Sequence, residues 1–272
     1  MGQVGRALLV AVAVLFSTGT VRAQSTISSS ITYDGSISPF GYSQSSGILV
    51  IDGSGSPVLT LTNSATTSGI TGLYLGTNSG NAGAIGVYGG STLSTSGTLQ
   101  TDYLGYTAGS MGTVTVGGAG SQWITSNEID VGYSGTGVLN IANGGTVQIN
   151  GGSTNAVLGA NTGSHGAATV SGANSAWTVG GVIYVGNYGN GALTISSQGT
   201  VASQQGYVGQ NAGSSGSLLL TGSGSTLDVE QRFRWWAVGW RNCDGRKRRQ
   251  VVQPGRLCRR QCRQRRRDER HG

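Results

Sequence analysis

Hydrophobic and polar residues alternate along most of this chain in short runs separated by Gly, Ser and Asn. Examples are residues 112–116 (GTVTV), 137–141 (GVLNI) and 192–195 (ALTI). Alternation with a period of two, bounded by turn residues, predicts β-strands that bury one face. The pattern therefore predicts an all-β protein built from many short strands.

An aliphatic residue followed by glycine recurs six times and marks a repeat. The glycines are Gly76, Gly105, Gly132, Gly159, Gly186 and Gly209, at spacings of 29, 27, 27, 27 and 23 residues. Strands this short cannot each bury a face alone, but stacked coils pair their backbones and form a continuous apolar column. The repeat predicts a right-handed parallel β-helix, or β-solenoid, of about 27-residue coils spaced ~4.8 Å apart.

A second, longer period shows that two unlike coils alternate. Trp123 and Trp177 lie 54 residues apart in the related strings GAGSQW and GANSAW, and the GTV strings that end at Val147 and Val201 share that spacing. A β-propeller is the competing all-β fold, but its blades need about 40 to 50 residues. The 27-residue unit is too short for a blade.

The chain divides into four predicted regions. Residues 1–23 have the features of a secretory signal peptide: Arg6, an apolar run over 7–16 and a cleavage site after Ala23. A membrane anchor is the alternative, but ten apolar residues fall short of the roughly 20 that span a bilayer. Residues 24–70 are predicted to form irregular N-terminal coils or a cap, residues 71–230 the β-helix repeats, and residues 231–272 a disordered basic tail.

Composition and charge argue against some classes of function. Glycine accounts for 50 of the 272 residues and only 10% are charged, which is unlike an ordinary helical or α/β enzyme. Of 17 Lys and Arg residues, two precede residue 24 and 15 lie at or after Arg232, whereas seven acidic residues lie between. The body is therefore acidic and the tail basic.

The tail has the composition of an out-of-frame translation. Shifting the reading frame by one base, with CGN codons for Arg, converts Trp235 and Trp236 to glycines and permits GTVTV over 241–245, the string at 112–116. We therefore expect a frameshift near residue 230 of a longer repeat protein. If the printed frame is real, interleaved Arg and Trp could bind nucleic acid or anionic lipid, although export argues against nucleic acid.

Residues 112–123 (GTVTVGGAGSQW) and 129–147 (IDVGYSGTGVLNIANGGTV) carry a family resemblance. They resemble the type V secretion and PEP-CTERM-associated repeat of bacterial autotransporter passengers, over about residues 70 to 230. The resemblance implies a β-helix displayed at the cell surface by a C-terminal outer-membrane β-barrel or another anchor. We expect that barrel to be missing from this chain, because the tail lacks the strands it needs. Without an anchor the expected location is periplasmic; with one, it is the cell surface, the outer membrane or the extracellular space.

Few residues suggest chemistry, and we predict no catalytic, cofactor or metal site. Cys243, Cys258 and Cys262 lack the paired spacing of a zinc site, and His165 lies in a turn string without the partners of a catalytic triad. Glu128 and Asp130 are two residues apart on a predicted strand and so share one face. Paired carboxylates occur in glycosidases, which makes a β-helix polysaccharide lyase or hydrolase the alternative function. The lack of Lys and Arg in the body counts against a lyase.

The expected function is adhesion or surface interaction by a rigid exported scaffold. Trp123 and Trp177 are candidate ligand-contact aromatics, although their regular position in the repeat also suits a structural role. The expected partners are glycans, matrix proteins or neighbouring cells. Self-association is also expected, because an uncapped strand edge at the end of the stack aggregates.

Overall fold

The computed structural model describes residues 23–27, 31–33, 47–97, 100–151, 154–235, 245–246 and 250–252. Every regular element in these ranges is a β-strand. The predicted signal peptide up to residue 22 and most of the predicted tail lie outside the described residues. The described part of the chain contains no helix that could cross a membrane.

The described part of the chain contains twenty-two strands. In order they are β1 Ala23–Ile27, β2 Ile31–Tyr33, β3 Gly47–Ile51, β4 Val58–Leu61, β5 Ile70–Leu75, β6 Ala82–Val87, β7 Thr92–Thr95, β8 Thr101–Leu104, β9 Met111–Gly117, β10 Gln122–Thr125, β11 Glu128–Val131, β12 Thr136–Ala142, β13 Thr146–Ile149, β14 Ala156–Leu158, β15 His165–Ser171, β16 Ala176–Val185, β17 Asn190–Ser196, β18 Thr200–Val208, β19 Ser215–Leu220, β20 Thr226–Trp235, β21 Gly245–Arg246 and β22 Gln250–Val252.

The strands form three parallel ladders, here called walls, that wind through about seven turns. Wall 1 contains β2, β4, β6, β9, β12, β15, β17 and β19. Wall 2 contains β7, β10, β13 and the first halves of β16, β18 and β20, whereas wall 3 contains β1, β3, β5, β8, β11, β14 and the second halves of those three long strands. The fold is therefore the predicted parallel β-solenoid.

The core is one apolar column inside the walls. Along wall 2 the register places six inward side chains in one row. These are Leu93, Trp123, Val147, Trp177, Val201 and Leu227, all buried. Large and small residues alternate at its centre, which fills the interior without voids. This packing explains the 54-residue period.

The six repeat glycines occupy the corner where wall 3 turns into wall 1. All six have positive φ, from 64° at Gly209 to 78° at Gly186, a region that L-residues other than glycine rarely adopt. A Cβ at Gly132 would also collide with the His165 carbonyl of the next coil. Two independent constraints therefore require glycine at these corners.

Strand pairing continues at both ends of the stack. At the N-terminal end, β1 pairs in parallel with β3, and β3 with β5, so coils of the same kind extend into the predicted cap. At the other end, β20 continues to Trp235, five residues past the predicted repeat boundary at 230. It also pairs antiparallel with β21 and β22. The described segments 245–246 and 250–252 therefore use free backbone groups of β20.

Candidate functional site

The outer side of wall 3 carries the solenoid's main concentration of aromatic and acidic side chains. The register aligns six outward residues from successive coils in one row. This row, here called the tyrosine face, is Tyr74, Tyr103, Asp130, Val157, Tyr184 and Tyr207. The corresponding outward row of wall 1 is flat and carries small side chains: Ala84, Thr113, Val138, Ala167, Ala192 and Ser217.

Four tyrosines pack together at one end of the tyrosine face. Tyr103 contacts Tyr74, Tyr106 and Tyr133, with ring centroids 5.0, 5.0 and 4.6 Å apart. Tyr106 stacks on Tyr133 at 5.4 Å with an interplanar angle of 8°. Such contacts each contribute about 0.5–1.5 kcal/mol beyond burial. The four tyrosines therefore stabilise one another at this end of the tyrosine face.

A second tyrosine pair forms the opposite end of the face. Tyr184 and Tyr207 stack at 5.4 Å with an interplanar angle of 15°, and the Tyr207 hydroxyl donates a hydrogen bond to Gln205 Oε1 at 3.0 Å. Beyond this pair, Tyr207, Gln210 and Arg234 line a cavity of about 150 Å³. Asp130 and Val157 occupy the row between the two aromatic groups.

Asp130 is a buried carboxyl on the outside of the wall. Its neighbours in β11, Ile129 and Val131, point into the core, so Glu128 and Asp130 share the outer face, as predicted. Asp130 is only 5% exposed, and its Oδ1 has no hydrogen-bond partner among the described residues. Burial, with a smaller contribution from the Glu128 charge, raises the pKa of Asp130 to about 8. The carboxyl is therefore mostly neutral at pH 7.

The groups around Asp130 are well ordered by hydrogen bonds. Asn155 Nδ2 donates to Glu128 Oε2 at 2.9 Å, and the Val182 amide donates to Asn155 Oδ1 at 3.0 Å. Burial raises the pKa of Tyr103 to about 12, so its hydroxyl stays protonated. The site thus combines a neutral carboxyl, a hydrogen-bonded carboxylate and phenol groups.

A second buried carboxyl, Asp102, lies inside the column on β8. It is fully buried and accepts four hydrogen bonds. They come from the Leu73 amide at 2.9 Å, Thr95 Oγ1 at 2.6 Å, Thr125 Oγ1 at 2.9 Å and Asn127 Nδ2 at 3.0 Å. Burial raises the pKa of Asp102 to about 6, and the hydrogen bonds limit the rise. Because its partners come from neighbouring coils, Asp102 joins those coils together.

Asp52 supports a corner. Its Oδ1 accepts hydrogen bonds from the Thr77 and Asn78 amides at 3.0 and 3.4 Å, and Asn81 Nδ2 donates to its Oδ2 at 3.1 Å. Although burial alone would raise the pKa of Asp52, the hydrogen bonds from Asn78, Asn81 and Thr77 lower it. This carboxylate is a structural cap of the next coil's turn.

The structure places both predicted ligand-contact aromatics inside the column. Trp123 and Trp177 are each 0% exposed. Trp123 Nε1 donates to Thr95 Oγ1 at 3.2 Å, whereas Trp177 Nε1 has no partner among the described residues. A sugar platform needs an exposed ring face, which neither indole has. The tyrosines beside the repeat glycines occupy the outer surface instead.

His165 and the three cysteines are the other residues that the sequence analysis considered for chemistry. His165 is exposed, and its Nδ1 lies 3.3 Å from Asn190 Nδ2. The three cysteines lie outside the described residues. The described part of the chain contains no group of three or more His, Cys, Asp or Glu residues that could hold a metal ion.

Comparison with known proteins yields one informative similarity. No protein-family model matches the chain, and no solved structure matches it. The chain is similar to the uncharacterized lipoprotein YdeK of Escherichia coli strain K12, with 33% identity over 144 residues. The similar region covers 50% of this chain and 10% of YdeK. The matched half of the chain thus spans about a tenth of that relative's length.

Proposed function

We propose that the chain is an exported β-solenoid scaffold of the bacterial cell surface, the N-terminal part of an autotransporter-like passenger that acts in adhesion. The observation that carries this proposal is the parallel pairing of strands from each coil to the next along all three walls. A continuous hydrogen-bonded stack is rigid along its axis and presents the same outward position in every coil. Repeated weak contacts along such a surface sum to strong attachment.

Two further observations support an envelope location. Residues 1–23 have the composition of a signal peptide. YdeK, which shares 33% identity with half of the chain, bears the name lipoprotein, and a lipid anchor holds a protein at a membrane. Together they favour export of this chain to the cell envelope.

We extend the proposal to self-association at the C-terminal end of wall 1. Within the described residues, β19 pairs with β17 on one side only. Leu218 and Leu220 are half-buried and Leu219 is 53% exposed, whereas the equivalent inward residues of earlier coils are buried. An open strand edge with apolar side chains favours pairing with another chain.

The test is surface exposure combined with adhesion. The full chain, tagged within the 211–214 turn, is expressed in Escherichia coli, and the intact cells are treated with a protease. Loss of the tag from intact cells, and retention of cells on beads coated with the purified chain, are the expected results. A tag that stays in the cytoplasm, or beads that retain no more cells than uncoated beads, would contradict the proposal.

One observation favours a polysaccharide hydrolase as the second candidate. Glu128 and Asp130 share a face, and the buried Asp130 keeps its proton at pH 7, as a general acid requires. Prolonged incubation of the full chain with oligosaccharides, followed by chromatography of the products, tests this candidate. If the oligosaccharides stay intact, the hydrolase candidate is wrong and the scaffold function is the one proposal that remains.

A further inference from the structure

We propose that the tyrosine face binds an uncharged, hydroxyl-rich glycan chain, with the Asp130 carboxyl as its central hydrogen-bonding group. This inference rests on the proposed adhesive function and names its ligand class. The binding residues are Tyr103, Asp130 and Tyr184, with Val157 between the two aromatic ends.

The layout of the face suits a linear polymer that runs along the solenoid axis. Tyr103, Asp130, Val157 and Tyr184 are consecutive in the register, so Tyr103 and Tyr184 lie about 14 Å apart at three coil spacings of ~4.8 Å. A single coil spacing of ~4.8 Å is close to the length of one sugar unit in an extended chain. Every described strand belongs to the walls or pairs with β20, so no described strand is stacked on the outer face, although Asp130 and Val157 are themselves each only 5% exposed. A glycan chain can therefore meet successive coils with successive units.

The unpaired Asp130 carboxyl points to a ligand that forms hydrogen bonds. Its Oδ1 is buried without a partner in the described part of the chain, and an unsatisfied buried polar group destabilises the protein. A neutral carboxyl can donate one hydrogen bond and accept others. A sugar hydroxyl, which also donates and accepts, supplies the missing partners. Nearby tyrosine rings add the apolar contact that sugar rings prefer.

Charge selects against acidic and basic ligands. No Lys or Arg lies between residues 24 and 231, and Arg234 joins the row only next to Tyr207, so the stretch from Tyr103 to Tyr184 has no cation for a uronate or sulfate. Glu128 already accepts a hydrogen bond from Asn155. The groups facing Asp130 are Glu128 on β11, Tyr103 on β8 and the uncharged Val157 on β14. Because the pKa of Asp130 is raised to about 8, the site offers a neutral carboxyl at pH 7.

The experiment is isothermal titration calorimetry of the full chain at pH 6 and pH 9. The probes are cellohexaose, maltohexaose, a polygalacturonate hexamer and hexa-arginine. We expect at least one uncharged hexamer to bind at pH 6, with affinity insensitive to salt. Its affinity falls about tenfold or more at pH 9, because the charged carboxylate no longer donates its proton. If hexa-arginine binds more strongly at pH 9 and salt reverses that binding, the ligand of the face is a cation and the proposal is overturned.

Two substitutions at one position separate binding from folding. Asp130→Asn keeps a side chain that both donates and accepts hydrogen bonds. We therefore expect this variant to bind the hexamer at pH 6 as the wild type does, and its affinity not to decline at pH 9. Asp130→Leu removes an unpaired buried carboxyl without a fold penalty, yet weakens the affinity about tenfold or more. Tyr88→Ser, at an exposed tyrosine outside the face, is the matched control and leaves binding unchanged.

The outcomes also distinguish this inference from the proposed function. If no uncharged hexamer binds, or if Asp130→Leu binds as well as the wild type, the glycan site is wrong. The retention of cells on beads coated with the same protein preparation then still tests adhesion independently. Loss of bead retention together with intact hexamer binding would contradict the adhesive function instead.

Discussion

Asp102 and Asp130 are two buried carboxyls one coil apart, with opposite surroundings. Asp102 lies inside the column, is fully buried and accepts four hydrogen bonds. Asp130 lies on the outer side of the wall, is 5% exposed and has an Oδ1 without a partner among the described residues. The less buried group nevertheless has the higher pKa, about 8 against about 6. Hydrogen-bond partners, more than depth, therefore decide how strongly each site resists a charge.

The difference separates a structural carboxyl from a functional one. The partners of Asp102 are donors, so they favour a carboxylate that holds three successive coils in register. Among the described residues no donor reaches Asp130 Oδ1, which leaves an unsatisfied carboxyl oxygen just beneath the outer surface of the wall. Unsatisfied polar groups persist where a function requires them.

The largest expected effect is at Asp102. Asp102→Leu leaves the Leu73 amide, two threonine hydroxyls and the Asn127 amide without their acceptor, so we expect a loss of about 3–5 kcal/mol in the free energy of unfolding. Urea denaturation at pH 7 measures it. The isosteric Asp102→Asn variant should lose less. Equal stability of the Leu variant and the wild type would remove the distinction between the two sites.

Asp130→Leu should have the opposite sign. Replacing a buried carboxyl that lacks partners with an apolar side chain of similar volume is expected to stabilise the fold by roughly 1–3 kcal/mol. The same denaturation experiment detects the gain. A loss of stability would show that Asp130 has a structural role comparable to that of Asp102.

The pH range over which stability changes differs between Asp102 and Asp130. A carboxyl with a raised folded pKa contributes stability below its unfolded value of about 3.8, and that stability is lost as pH rises through the folded pKa. Stability should therefore fall from pH 4 to 6 through both groups, and from pH 6 to 8 through Asp130. Each group contributes a decline of at most about 1.4 kcal/mol per pH unit. In Asp130→Asn the decline between pH 6 and 8 should vanish, whereas Asp102→Asn should retain it. Denaturation at pH 4, 6 and 8 distinguishes them.

The smallest effect concerns the two buried indoles, of which only one belongs to the Asp102 network. Trp123 Nε1 donates to Thr95, which donates to Asp102, whereas Trp177 Nε1 has no partner in the described part of the chain. We expect Trp123→Phe to destabilise the protein by about 1 kcal/mol more than Trp177→Phe. Thermal denaturation of the two variants measures the difference. Equal losses would show that the network ends at Thr95.

The sequence predicted the fold because its signals are local and repeated. Strand alternation and the six glycines define the coil, and the two tryptophans define its double period. The extension of β20 to Trp235 was not predicted, because the change in composition at Arg232 looks like a boundary. A free strand edge accepts the chain regardless of its composition.

The candidate site was only partly predictable. Alternation in β11 places Glu128 and Asp130 on one face, as the structure confirms. The burial of Asp130 depends on residues about 27 positions away, which alternation within one strand cannot reveal. Asp102 could have been found by the same rule, since Leu104 points inward and residues two apart share a face.

The alternating inner row of wall 2 has a consequence for how such genes change length. Removing the coil that contains Val147 would bring Trp123 directly against Trp177, and overpacking of this kind costs about 1–3 kcal/mol. Removing or duplicating two coils restores the match of large and small side chains. The tolerated unit of recombination is therefore a block of 54 codons, so that rods of this kind lengthen or shorten in paired steps.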